Sequence, residues 1–203
     1  CDAKKDDVIF IICGDYKKTK QIIGDLRVEI IKRFKIEPNN KFAPVWITDF
    51  PLFDFDKEKQ QFHAMHHPFT APKNEDLEKL NNAPEKAIAQ AYDIVLNGQE
   101  IGGGSIRIFD RKIQNKIFKL LGLSENEIKS KFGFLLEAFK YGAPPHGGIA
   151  FGFDRICAIM SNEKSIRDVI AFPKNNSGKD LMIDSPSLID NDQLKDLNIK
   201  LSE

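Results

Sequence analysis

Two periodicities alternate along this chain. Residues 8–12 (VIFII) form a short β-branched and aromatic run closed by Gly14 and Asp15, a pattern that predicts a buried strand. From about Lys17 to Phe34, Ile22, Ile23, Leu26, Val28, Ile30, Ile31 and Phe34 recur on roughly a helical face, with Lys and Arg covering the other side. The turn formers of EPNNKFAP, residues 37–44, place a boundary near residue 40, and one strand plus one helix cannot bury their own faces. The first 40 residues therefore read as the end of a module, and the missing initiator Met as the mark of a fragment. Beyond the boundary, residues 45–50 (VWITDF) and 60–67 (QQFHAMHH) are expected to pair as a hairpin around the acidic turn FDFDKEK.

A second hairpin is signalled more sharply. In AYDIVLNGQEIGGGSIRIF, Asn97-Gly98 tolerates positive φ and stands between two apolar runs. Helices follow. Asp110 is placed to cap one over 111–121, and Ser124 with Glu127 spells a capping box before a stretch that Gly142 ends. The loop APPHGG leads into IAFGF and a helical stretch at 157–160, and the last ~25 residues read as a polar, loosely held tail. Taken together the pattern predicts an α+β fold, an antiparallel sheet with flanking helices.

Composition narrows the function classes. The chain has 203 residues, 41% apolar, enough to bury a core, and 30 basic residues balance 30 acidic ones. Balanced charge argues against a surface built to coat nucleic acid, so any RNA contact is local. Cys1, Cys13 and Cys157 have no Cys-x-x-Cys spacing, which points to a reducing cytosol rather than a disulfide framework, and no apolar run is long enough to span a bilayer.

Three strings carry candidate chemistry. In Glu100-Ile-Gly-Gly-Gly-Ser-Ile-Arg107, strict strand alternation puts Glu100 and Arg107 on opposite faces, and a bulge at the glycines would unite them. A carboxylate there suits Mg²⁺ on ATP phosphates, and an arginine fork suits a substrate carboxylate; the plainer alternative is a flexible glycine turn with solvated charges. In Met65-His66-His67-Pro68-Phe69, strand alternation would let only one histidine line a given pocket, with His63 on the face of His67. No histidine spacing typical of a zinc hydrolase accompanies them. In Gly152-Phe153-Asp154-Arg155, a strand hands over to a helix and sets an arginine against its dipole, a local inconsistency of the sort found at functional sites. The plainer reading is a surface Arg155 paired with Asp154. Neither a P-loop nor GxGxxG is present, so ATP use would need another architecture.

These strings, with FGFLLEAFKYGAPPHGGIAFGFDRI and RDVIAFPK, resemble in order the class II aminoacyl-tRNA synthetases of the bacterial aspartyl type, over residues 41–188. The resemblance implies an aspartate–tRNA ligase working through aspartyl-adenylate, with aspartate, ATP and tRNA as partners and Mg²⁺ as the ion on ATP. Glu100 resembles the acidic residue that binds ATP through the metal, Arg107 the arginine that grips the side-chain carboxylate, and His66 the aspartate-site histidine, with His67 a second candidate. Gly152, Phe153, Asp154 and Arg155 resemble the ATP-binding end of motif 3, Arg155 reaching the γ-phosphate. Residues 1–40 resemble the end of the family's inserted domain and 41–203 the C-terminal part of its catalytic domain. The family's anticodon-binding barrel, motif 1 and motif 2 have no counterpart here, so an inactive final third of a cytoplasmic, homodimeric enzyme is expected. A paralogue that kept the fold without the chemistry is the alternative from another class.

Overall fold

The computed structural model describes residues 2–14, 16–37 and 39–201, and the chain divides into two compact units, Cys1–Ala43 and Pro44–Glu203. In the first unit the periodic stretch forms α1, Tyr16–Arg33. The strand expected at residues 8–12 does not form: the stretch is irregular, and Val8, Ile9, Phe10 and Ile11 are all exposed. Apolar β-formers make a strand only where a partner satisfies the backbone, and among the described residues none does. Cys1, Asp15 and Pro38, which the sequence reading used, lie outside the described residues.

The second unit is built on a four-stranded antiparallel sheet. Its strands are β1 (Pro44–Ile47), β4 (Ala91–Leu96), β5 (Gln99–Ile106) and β6 (Gly147–Phe151), in that spatial order. A separate hairpin joins β2 (Phe53–Asp56) to β3 (Gln61–Ala64). Residues 45–50 therefore do not pair with 60–67: β1 lies against β4, Trp46 opposite Ile94. The stretch read as an acidic turn supplies β2, because Phe53 and Phe55 alternate with Asp54 and Asp56 at the strand period. Asp56 then closes the turn itself, its Oδ1 accepting from Glu58 N and Lys59 N at 2.9 and 3.0 Å.

The Asn97-Gly98 hairpin forms as the sequence predicts, both residues at positive φ, 51° and 82°. After the short α2 (Lys79–Asn82) and the β4–β5 hairpin come α3 (Arg111–Leu120) and α4 (Glu125–Ala138). Asp110 caps α3 by accepting from Lys112 N and Ile113 N, and the capping box of Ser124 and Glu127 starts α4. Gly142, at φ 90°, ends the segment after α4, and α5 (Phe153–Met160) follows β6 directly. The final stretch is more ordered than expected, since α6 (Asn191–Asp196) buries Leu194.

Two apolar clusters hold this unit. Leu52, Phe53, Leu80, Ala87, Ile108 and Ile117 form one, and Phe118, Ile128 and Leu136 the other, with the Phe118 and Phe132 rings stacked at 4.8 Å. Among the described residues no helix is long and apolar enough to cross a membrane.

Candidate active site on one face of the sheet

Strand β5 decides which side chains meet. Val95 stands opposite Glu100, Ile94 opposite Gly102 and Asp93 opposite Gly103, so Ile101 has no partner on β4 and is the extra residue of a β-bulge. Directly opposed residues share a face. Asp93 and Val95 therefore share theirs with both Glu100 and Gly103, and alternation from Gly103 through Ser105 carries Arg107 onto that face too. The bulge does what the sequence allowed: it brings Glu100 and Arg107 to one side. The three glycines lie inside a paired strand rather than in a flexible turn.

Gly103 is the floor of this cluster. A Cβ there would meet Asp93 Oδ1 at 2.5 Å and Glu100 Oε1 at 3.5 Å, so both carboxylates reach over the one residue that leaves room for them. Burial, and then the neighbouring Glu100 carboxylate, push the Asp93 carboxyl above its usual range, while His66 pulls the other way. Sequence reasoning missed Asp93. Its one signal was an acid inside the apolar run AYDIVL; the register that sets it beside Glu100 is not written locally.

His66 and His67 lie beyond the end of β3, in a bend, so the strand rule that allowed only one into a pocket does not apply. The His66 ring meets Phe50 edge-on at 4.5 Å. His67 stands by Arg107: burial first, then the guanidinium, push its imidazole below the usual range and keep it neutral. Its Nδ1 accepts from Phe69 N at 3.1 Å, which puts the imidazole proton on Nε2. His63, by contrast, sits on β3 with its Nε2 3.6 Å from Asp56 Oδ2 and belongs to the hairpin.

The turn carrying these histidines is tied on several sides. Thr70 N donates to the His67 carbonyl, Ile108 N to Phe69 O, and the Gln114 amide of α3 to Pro68 O at 2.8 Å, while Phe69 packs on Phe118 and Phe132. Arg107 is held by its backbone, which bridges Thr70 and donates to His146 O. Its Nη1 is buried and has no hydrogen-bond partner among the described residues. A buried, unpaired guanidinium nitrogen is a costly arrangement that an incoming acceptor relieves.

The remaining predicted residues sit where β6 passes into α5. Gly152 N donates to the carbonyl of the bulge residue Ile101 at 2.8 Å, and Arg155 folds back over Gly152 so that Nη1 donates to Glu100 O at 2.8 Å. Arg155 thus joins the cluster through Glu100 rather than pairing with Asp154. Phe153 and Asp154 are exposed at the start of α5 and meet none of these groups through a hydrogen bond or ion pair; Asp154 suits the helix dipole. Among the described residues no three His, Cys, Asp or Glu side chains are grouped to hold a metal ion, so a cation here would have Asp93 and Glu100 as its protein carboxylates.

The chain is similar to known proteins. An aspartate–tRNA ligase of Flavobacterium psychrophilum is 55% identical over 98% of this chain, and an aspartate–tRNA(Asp/Asn) ligase of Caldanaerobacter subterraneus is 52% identical over 98%. The chain spans about a third of their length, 34% in each case. Among solved structures, an aspartyl-tRNA synthetase from Entamoeba histolytica shares the fold, with a TM-score of 0.51 and 23% identity over 84% of this chain and 29% of that one. The model of class II tRNA synthetases (D, K and N) matches residues 15–176, and the chain belongs to that family.

Proposed function

We propose that this chain supplies the C-terminal part of the catalytic domain of an aspartate–tRNA ligase, which joins ATP and L-aspartate into aspartyl-adenylate and passes the aspartyl group to tRNA. Residues 1–40 would be the end of the inserted domain. The observation that carries the reading is the bulge at Ile101, which sets two carboxylates and an arginine with an unpaired buried nitrogen on one face.

Each group has a task in this reaction. Arg107 offers a planar fork to the side-chain carboxylate of aspartate, and the neutral His67 beside it adds an Nε2–H donor. Asp93 and Glu100 fit Mg²⁺: both reach over Gly103, and burial first, then the Glu100 charge, make ionising Asp93 costly in a way that a hard cation offsets. Bound with ATP, that ion supplies neutralisation of phosphate charge. Arg155 spends one donor on the Glu100 carbonyl and keeps the rest of its fork for phosphate oxygens and its plane for adenine. Gly152 leaves its approach open.

The substrate's own carboxylate attacks the α-phosphate, so no side-chain nucleophile is required and these residues act by positioning and charge. tRNA(Asp) is the acceptor, and relatives of both the aspartate and the Asp/Asn type leave tRNA(Asn) as a second one. The test is ATP–pyrophosphate exchange by the full-length protein. Exchange that requires L-aspartate and is abolished by Arg107→Ala is expected; exchange indifferent to aspartate overturns the reading.

A further inference from the structure

Gln114 was not among the residues that the sequence singled out, and it is odd for its place. Its side chain is fully buried, 0% exposed, in the first turns of α3, yet only its Nε2 is bonded and its Oε1 has no partner among the described residues. A leucine or methionine would fill similar space but leave the Pro68 carbonyl without this donor, so the amide is placed for that one bond while its own Oε1 goes unpaired. What the amide holds is the Pro68 carbonyl, at 2.8 Å.

That carbonyl belongs to the same peptide group as the Phe69 N–H, and a peptide group is planar. Fixing the oxygen fixes the direction of the N–H, and the Phe69 N–H donates to His67 Nδ1 at 3.1 Å. The chain of contacts runs from Gln114 Nε2 through one rigid plane to the imidazole that stands beside Arg107. We infer that Gln114 is a positioning residue for the aspartate site: through the Pro68–Phe69 peptide it holds the His67 ring with Nδ1 as acceptor and presents Nε2–H next to Arg107. The inference rests on the functional reading above. Other ties of the turn, from Thr70 N to His67 O and from Ile108 N to Phe69 O, hold its ends but do not reach the Pro68 carbonyl.

The experiment uses the full-length protein with Gln114→Met, which keeps the bulk and removes the donor. Aspartate KM is expected to rise about tenfold with ATP KM within about twofold, the scale on which slight misplacement of a substrate-facing group is felt. In ¹⁵N-histidine spectra, with His67 assigned by His67→Gln, the parent should show an unprotonated Nδ1 and the variant a mixture of tautomers. Ile117→Val, in the same core, serves as the control that lowers Tm with both KM values unchanged. Should Gln114→Met fail to fold, Gln114→Asn, which withdraws the amide by one methylene, is expected to move the same two readouts. Equal changes in both KM values, or an unaltered His67 tautomer, overturn the inference. A parent lacking aspartate-dependent exchange overturns the functional reading instead, and a parent that exchanges beside an unaltered Gln114→Met overturns the inference alone.

Discussion

Arg107 and Asp93 are the residues at which charge and geometry make the sharpest demands. A lysine at 107 keeps the charge but loses the fork, so Arg107→Lys in the full-length protein should raise aspartate KM and lower kcat/KM by about 2 kcal/mol or more, measured by pyrophosphate exchange at varied aspartate. Asp93 carries a cost of the opposite kind. Its carboxyl titrates higher in the folded chain than unfolded, so ionising it costs folding free energy as pH rises through that raised value, and nothing in acid where both states are protonated. Asp93→Asn should therefore raise Tm at neutral pH without Mg²⁺, with the gain fading below the ordinary value of 3.8. Added Mg²⁺ should raise the Tm of the parent and not of the variant; equal responses would remove Asp93 from the metal site.

Strands β5 and β6 approach so closely that side-chain volume, not flexibility, explains a glycine. A Cβ at Gly104 would stand 1.9 Å from Gly148 O and 2.8 Å from Ile149 Cα, backbone atoms that cannot step aside, whereas a Cβ at Gly148 meets nothing within 4 Å. Gly104→Ala should cost about 1–3 kcal/mol or more and loosen the turn that holds Arg155, while Gly148→Ala leaves stability near that of the parent; denaturant titration of the pair separates them. Legibility in the sequence follows the range of the interactions. Asn97-Gly98, the Asp110 cap and the Ser124–Glu127 box were readable because each is satisfied within a few residues. Phe53–Asp56 was read as a turn because its acids outweighed its alternation, and Val8–Ile12 as a strand although no partner was in view. The site was half legible: Glu100 and Arg107 stand in one string, but their union depends on register against β4, which is also what brings in Asp93, and Gln114 acts across 46 residues.

For the whole molecule, acid resistance should hinge on a buried carboxylate far from the chemistry. Asp76 is 3% exposed, pairs with Lys79 and accepts from Ile88 N at 2.8 Å, and Lys79 first, then the Ile88 N–H, hold its carboxyl below the usual range. A depressed folded value means that its contribution is complete above 3.8 and is lost as pH falls further, so the Tm difference between parent and Asp76→Asn should be constant at neutral pH and close in stronger acid. On the functional reading proposed above, the purified chain should exchange pyrophosphate at least ~10²-fold more slowly than the full-length protein, because groups neutralising the α-phosphate are assigned by resemblance to motif 2. The extra residue at Ile101 has one more consequence, a matter of odd and even. Deleting it would give the hairpin an unbroken ladder of pairs. Glu100 would then stay opposite Val95, on the face of Asp93 and Arg107; what turns it to the other side is an Ile101 that is kept and paired as a regular rung. Any graft of this hairpin onto another scaffold must therefore preserve the bulge itself, since a full-length copy with Ile101 drawn into the ladder would be a correct strand with its acid on the wrong side.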